Sequence, residues 1–553
     1  MKNWHDATIP QMVEALGREK PTAPAIVFKD RTTSFGELAA TARRVSNYLV
    51  ANGMRPDDRV ALMLPPSDTW AAIHYGVIGA GCIAVPINLA FKADELRFVL
   101  KQSRAKCIIV ADTNKGVDLA GRIEEILPAL TKDGTNTIDA GEFPALEMAV
   151  LLSESGAPRG SWRPALDMLT FEATHAVEEE LEKRRSALTP TQSCAIVYTS
   201  GSTSFPKPAL LHHRGLMGGA WWYGEGSAIA EDERIMGFAP TFHVSGISAG
   251  MMVPHMRGLP IWLLDGFEPG AALDLIEKHS ITMFSGFDTM FVTLLRHPAF
   301  SSERVKSIRS LRLATGPAMH ERVYAAFPNL AVTARCYAMT ETCGPSAVTY
   351  PDMRSLDAVK YSNGIPVPGM EIRIAALSDG RTVPTGETGE IRLKGPALFN
   401  GYLDMEAETR AAFDEGGWFR TGDLGRMDEA GLLYLAGRLK RMIKTGGENV
   451  SEREIEIFLE DKVAGVCMVQ VVGIPDPVWG EAVIAFVEAF PDSDINELAV
   501  REACKAGLAN FKVPKRVFFV GGTEWPRNDV GKISKDALIA QAIEATRNFK
   551  EEK

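Results

Sequence analysis

Tyr198-Thr-Ser-Gly-Ser-Thr-Ser-Phe-Pro-Lys-Pro208 follows a short β-like run, 194–198, and packs hydroxyl side chains and a glycine into a turn that closes on Pro206 and Lys207. A loop of this composition can wrap a polyphosphate. Hydroxyls and backbone N–H groups meet the oxygens, and the lysine adds charge. It is not a Walker loop, because Lys207 lacks a preceding glycine and a following Ser or Thr. Taken alone, the same residues also fit a polar surface loop.

Upstream, Ser34-Phe-Gly-Glu37 reads as a capping box opening a helix toward Leu49. Residues 59–64 read as a strand, a helix follows from about Asp68, and 83–87 and 107–111 read as further strands. Strands alternating with helices predict an α/β fold with a mainly parallel sheet. Residues 131–162, rich in Gly, Pro, Asp and Ser, read as a loop or insertion. Glu178-Glu-Glu180 followed by Lys183-Arg-Arg185 reads as a solvated helix face with i,i+4 pairing. Beyond Lys207 the alternation resumes, with strands at 235–238, 261–264, 281–285 and 311–314. From about Gly364 short strands such as 371–375 and 390–393, among frequent Gly and Pro, predict a small β-barrel or β-layer. A final unit holds a helix from Ser451, strands at 466–472 and 482–488, and a helix at 495–506. A domain boundary is placed near Gly437 to Leu439.

At 553 residues the chain implies at least two domains. A net charge of −10 argues against a nucleic-acid binder, so an anionic substrate must find local basic clusters. Seven cysteines, odd in number and without a C-x-x-C pair, argue against a disulfide framework or a cysteine metal site and for a reducing compartment. Met1-Lys-Asn-Trp-His-Asp6 lacks the apolar core of a signal peptide. The apolar stretch 71–90 carries His74, Pro86, Asn88 and three glycines, which suits a buried helix, a turn and a strand better than a membrane span. A soluble cytoplasmic protein is expected.

Further clusters follow in order: Phe242-His243, Ala314-Thr-Gly-Pro317, Tyr337-Ala-Met-Thr-Glu341, Trp418-Phe-Arg-Thr-Gly-Asp423, Gly437-Arg-Leu-Lys440, Lys444-Thr-Gly-Gly-Glu-Asn449 and Gly531-Lys532. Each alone is weak. Together, in this order and spacing, they resemble the adenylate-forming superfamily of acyl-CoA synthetases, luciferases and peptide-synthetase adenylation domains, over nearly the whole chain. The resemblance implies a large N-terminal domain, 1–437, of two αβ subdomains plus a small β-barrel, and a small mobile α+β domain, 438–553. It implies conversion of a carboxylate to an acyl-adenylate with ATP and Mg2+, release of pyrophosphate, and attack by a thiol. Carboxylate and α-phosphate are both anions, so positive charge is required at the reacting centre.

The resemblance also implies roles. Thr199, Ser200, Gly201, Ser202, Thr203 and Lys207 match the loop that holds the β- and γ-phosphates. Tyr337 and Gly316 would lie against adenine. Thr340 would contact the α-phosphate. Glu341 would hold Mg2+, a hard cation that favours carboxylate oxygen. Asp423, supported by Arg438, would accept from the ribose hydroxyls. Lys532 would bridge carboxylate and α-phosphate. Lys440 matches the hinge about which the small domain turns, bringing up Lys444, Gly446 and Gly447 for the thiol step. His243 matches a residue lining the junction of acyl pocket and thiol channel, with simple gating favoured over base catalysis.

Two departures stand out. Ser204 and Pro208 occupy positions where the family's phosphate loop has glycine, and Ala338 replaces glycine in the Tyr337 to Glu341 segment. A serine limits left-handed backbone, and a proline removes an N–H donor. Segment Val471-Val-Gly-Ile-Pro-Asp-Pro-Val-Trp-Gly-Glu481 resembles CoA ligases in particular. Lys440, Arg441, Lys444, Lys512, Lys515 and Arg516 could meet the CoA phosphates. Candidate pocket segments 242–246, 284–287, 314–317 and 337–339 are apolar and small, with no obvious Arg or Lys for a second carboxylate. They favour a monocarboxylic acid with an apolar body: medium-chain fatty, cyclic or aryl. Asp288 reads as the N-cap of a helix over 289–295. A homodimer is one assembly the resemblance allows. Two alternatives stay open: an adenylate-former with another acceptor, and a nucleotide-binding protein without turnover.

Overall fold

The strands that flank the hydroxyl-rich stretch in sequence pair with each other. Ser193–Thr199 and Lys207–His212 pair antiparallel, with Thr199 opposite Lys207. The structure, a computed structural model, describes residues 4–132, 141–153, 155–199, 206–315, 317–353, 360–445, 448–528 and 531–551. Ser200, Gly201, Ser202, Thr203, Ser204, Gly316, Gly446 and Gly447 lie outside the described residues.

That hairpin edges a seven-stranded sheet, continued by Ile83–Pro86, Arg59–Met63, Cys107–Ala111, Met148–Leu152 and Arg163–Pro164, all parallel. Every residue of Cys107-Ile-Ile-Val-Ala111 is buried, as a parallel strand covered on both faces requires. A second seven-stranded sheet runs Val332–Ala334, Ser310–Ala314, Met283–Phe287, Ile235–Gly237, Ile261–Leu263, Pro24–Phe28 and Arg31–Ser34, parallel except for its last hairpin. Ser34 caps the helix Phe35–Ala51. Its side chain accepts from the Glu37 N–H, and the Glu37 carboxylate accepts from the Ser34 N–H. Two antiparallel sheets make up the β-rich part. One joins Cys336–Met339, Gly344–Val348 and Ile365–Pro366; the other joins Glu371–Ala375, Gly389–Lys394, Phe419–Met427 and Leu433–Arg438.

After Arg438 a short 3-10 turn, Leu439–Arg441, leads into a sheet with its own core. Met442–Thr445, Glu448–Ser451, Val466–Asp476, Gly480–Ala489 and Arg516–Phe519 are its strands, and Glu452–Lys462, Glu497–Gly507 and Lys535–Glu551 its helices.

Three expectations are corrected. Residues 131–162 are not all loop: Met148–Leu152 is a buried strand parallel to Cys107–Ala111, a short apolar run masked by its polar neighbours. Helix His175–Ala187 is not wholly solvated. Arg184 pairs with Glu180 at i,i+4, but Arg185 is buried against Glu14, Ser46 and the Gly79 carbonyl. The helix after Phe287 is Asp288–Arg296, so Phe287 and not Asp288 occupies the N-cap position.

Burial of imidazoles sets a pH dependence. Burial lowers His74 and His213 to about 3, and His243, His255 and His320 to about 4. Between about 6.5 and 4 the unfolded chain therefore binds protons that the folded chain refuses, so stability falls as pH falls through that window. Each such histidine costs roughly 1.4 kcal/mol per pH unit. Urea midpoints measured at pH 7.5 and 5.5 should drop clearly at the lower pH; equal midpoints would contradict neutral burial.

Candidate active site

Parallel strands of the second sheet end together. Phe287 closes Met283–Phe287, Ala314 closes Ser310–Ala314, and the chain beyond Ile235–Gly237 runs on to His243. Ligands in open α/β sheets bind outside such carboxyl ends.

Lys532 reaches this edge from the C-terminal sheet. Its Nζ lies 5.8 Å from the centre of the Phe287 ring. The lysine is solvent-accessible but crowded by protein, which pulls its pKa below the usual lysine range, with Arg438 adding to the effect. His243 is lowered to about 4 by burial first and by Lys532 second, so it is a neutral imidazole near pH 7 and a weak base. Its Nδ1 lies 3.0 Å from the Ser245 hydroxyl. The loop holding Lys532 is tied by one backbone bond and one side-chain bond: Asn528 N–H donates to the Lys532 carbonyl at 2.8 Å, and Lys532 N–H donates to the side-chain Asn528 Oδ1 at 2.9 Å.

A second corner joins Tyr337, Asp423 and Arg438. Tyr337 is buried on Cys336–Met339, and its hydroxyl donates to Asp423 Oδ2 at 2.7 Å. Arg438 Nε donates to Asp423 Oδ1 at 2.8 Å across the paired strands Phe419–Met427 and Leu433–Arg438. Asp423 is 5% exposed. Two donors thus hold its carboxylate in a fixed plane. Ala338, the next residue after Tyr337, is exposed.

A third corner surrounds Lys207. Segment 400–403 pairs with the strand Lys207–His212: Leu210 N–H donates to the Gly401 carbonyl and Leu403 N–H to the Pro208 carbonyl, both at 2.9 Å. This sets the Tyr402 ring 5.0 Å from Lys207 Nζ, and the Tyr402 hydroxyl donates to Glu341 Oε1 at 2.9 Å. Thr340 and Glu341 open the 3-10 turn Thr340–Thr342, with Thr340 buried. One carboxylate suits Mg2+ arriving with a nucleotide, which keeps water and phosphate oxygens as its other ligands. Among the described residues no cluster of three His, Cys, Asp or Glu forms a resident metal site. Tyr402 was not marked by the sequence, because its contact with Glu341 spans 61 residues.

The structure does not gather every expected residue. Lys440 is in the turn Leu439–Arg441, and Lys444 is exposed on Met442–Thr445, its N–H donating to Glu481 Oε2 at 2.5 Å. The expected basic cluster is partly neutralised: Arg441 pairs with Asp536 at 3.3 Å, Lys512 with Glu454 and Arg516 with Glu497 at 3.2 Å. Lys515 instead lies 4.1 Å from the exposed Trp479 ring. A buried arginine lies on the strand Ser310–Ala314, close in sequence to the expected pocket segment 314–317. Arg312, 7% exposed, stacks 4.5 Å from Tyr223 and donates from Nε to Ser227 Oγ at 3.2 Å, while its Nη1 has no partner among the described residues. All seven cysteines are free thiols, and no helix among the described residues is long and apolar enough to cross a membrane.

Residues 13–403 match the AMP-binding enzyme family, and residues 457–532 match the AMP-binding enzyme C-terminal domain. The chain is 32% identical over 535 residues to the 3-[(3aS,4S,7aS)-7a-methyl-1,5-dioxo-octahydro-1H-inden-4-yl]propanoyl:CoA ligase of Mycobacterium tuberculosis, covering 96% of this chain and 98% of that one. It is 30% identical to a long-chain-fatty-acid–CoA ligase of Bacillus subtilis, covering 95% and 92%. The crystal structure of ATP-bound MatB from Rhodopseudomonas palustris superposes with a TM-score of 0.78 at 27% identity, covering 97% and 99%. The chain belongs to the AMP-binding enzyme family, within the adenylate-forming superfamily.

Proposed function

We propose that this AMP-binding enzyme is an ATP-dependent acyl-CoA synthetase acting on a monocarboxylic acid with an apolar body: medium-chain fatty, cyclic or aryl. The observation that carries the reading is Lys532 beside Phe287, within electrostatic reach of His243 and Arg438. The acid carboxylate attacks the α-phosphorus of ATP, and pyrophosphate leaves. Lys532 offsets the two converging anions. Asp423 accepts from the ribose, Tyr337 flanks the base, Thr340 meets the α-phosphate, and Lys207 with 199–203 holds the β- and γ-phosphates. Bound Mg2+ would be held by Glu341 and would neutralise phosphate charge. The CoA thiolate then attacks the acyl carbonyl and AMP leaves, with the domain 438–553 turning about Lys440 to present Lys444, Gly446 and Gly447. Neutral His243 lines the junction; a pKa near 4 makes it a poor base for the thiol. Exposed Trp479 beside Lys515 offers an aromatic and a cationic surface that suit a CoA nucleotide.

A second reading of the acid rests on Arg312. Arg312 and Lys532 are both within electrostatic reach of the Cys336 thiol. An acid whose far end carries a carbonyl or carboxylate would give the open Nη1 a partner.

The test is pyrophosphate release with ATP and Mg2+ across an acid panel that includes keto and dicarboxylic acids, followed by thioester formation on adding CoA. Adenylation that never acylates CoA would favour another acceptor. ATP binding without pyrophosphate exchange for any acid would mean a nucleotide-binding protein without turnover. In the active enzyme Tyr402→Phe should raise the KM for Mg-ATP about tenfold, the worth of one hydrogen bond to a charged group, with kcat little changed. An unchanged KM would remove Tyr402 from the nucleotide site.

A further inference from the structure

Glu488 has no place in the chemistry above, yet it is 2% exposed and carries an acidic side chain. It sits near the end of the strand Gly480–Ala489, in the C-terminal unit. Oε1 pairs with Arg296 Nη1, from the last turn of the helix Asp288–Arg296. Oε2 accepts from Trp525 Nε1 at 2.6 Å. Two residues later Arg527, within electrostatic reach of Glu488, donates from Nη1 to the Gly531 carbonyl at 3.0 Å. Gly531 directly precedes Lys532.

The same N-terminal helix is thus touched at both ends. Phe287, at its N-cap, faces Lys532, and Arg296, in its last turn, grips Glu488. Around the ion pair, Arg296 Nη2 and Arg322 Nη1 approach Cys467 Sγ at 3.8 and 3.7 Å, and Arg322 stacks 4.1 Å from the Phe490 ring. Space for the pair is kept by Gly522, where a Cβ would come within 2.6 Å of Arg296 Nη1 and 3.0 Å of Glu488 Oε1. A buried carboxylate that bridges two units is costly to leave unpaired. It is therefore suited to fix one arrangement of those units and oppose others.

We infer that Glu488 is a positioning residue for Lys532: through Arg296 on one side and the Trp525 to Arg527 stem on the other, it sets where the Lys532 loop stands against the N-terminal helix. The inference rests on the proposed role of Lys532 in adenylation. Lys532 then reaches the reacting centre only while the Arg296–Glu488 pair is closed, and opening the pair releases the loop. Glu488 touches no substrate and takes no proton.

The experiment separates the two half-reactions. Glu488→Gln and Arg296→Gln each keep a hydrogen-bonding side chain and remove one charge. Each should slow pyrophosphate exchange about 10-fold or more, since a small misplacement of a reacting group costs that much. Thioester formation from supplied acyl-adenylate should stay within about twofold, and the double variant should be no slower than the worse single one. Thermal midpoints are read in parallel, and Arg296→Gln stands in should Glu488→Gln fail to fold. Equal loss in both half-reactions, or unchanged exchange in a folded variant, overturns the positioning role. Lys532→Ala is run beside them. If that variant adenylates at the rate of the unaltered enzyme, the role proposed for Lys532 fails; if it is slowed and the Glu488 and Arg296 variants are not, only this inference fails.

Discussion

Lys532→Ala should lower pyrophosphate exchange by roughly 10²–10³-fold, the usual loss on removing one charge-stabilising donor from a reacting centre. Transfer from supplied acyl-adenylate to CoA should be nearly unaffected. Lys532 stands at the carboxyl end of Met283–Phe287, with its Nζ 5.8 Å from the Phe287 ring. Its pKa is depressed by crowding and by Arg438, so the free enzyme already favours an incoming anion there. Lys532→Arg separates charge from shape. A guanidinium keeps the charge but is wider and planar, so partial recovery is expected. The loss should appear in kcat as well as in kcat/KM, because the bridge is strongest as the two anions converge. A Lys532→Ala enzyme that loses both half-reactions equally would mean that Lys532 serves one arrangement common to both, and the two-arrangement reading would be wrong.

Much of this was legible because it is local. The Ser34 to Glu37 cap needs only four residues, and 107–111 needs only an unbroken apolar run. The ordered motifs mark Tyr337, Asp423, Arg438 and Lys532; scattered along the chain, the first three are joined by hydrogen bonds, and Arg438 is within electrostatic reach of Lys532. What stayed hidden depends on partners far away. Met148–Leu152 is identified as a strand by its pairing with 107–111, not by its own short pattern. Tyr402 acquires meaning from Glu341 and Lys207, Arg185 from Glu14, and Glu488 from Arg296, each through a contact that no spacing rule covers. The basic residues near the C-terminus show the reverse error. Lysines and arginines that looked available in sequence are partly matched by Glu454, Glu497 and Asp536.

The second large effect is expected at Asp423. Its carboxylate is 5% exposed and already accepts from Tyr337 and Arg438, and each oxygen retains a lone pair that can meet a ribose hydroxyl. Asp423→Ala removes those acceptors and leaves the Tyr337 hydroxyl and the Arg438 guanidinium without their partner. Two hydrogen bonds to a charged acceptor are worth about 3 kcal/mol together, so kcat/KM for ATP should fall roughly 10²-fold or more. Part of that fall could come from a loosened site, because stranding a buried hydroxyl costs about 1–3 kcal/mol in stability. The discriminating measurement is therefore a ratio. The unaltered enzyme should prefer ATP over 2′,3′-dideoxy-ATP, because the second leaves the Asp423 oxygens without a donor. In Asp423→Ala that preference should collapse toward one, whatever the absolute rates. Asp423→Asn keeps the shape and one acceptor but loses the charge, so its preference should fall between the two. If Asp423→Ala still strongly favoured ATP, the ribose would be read elsewhere, and the Tyr337–Asp423–Arg438 set would be a brace between strands and not a nucleotide site.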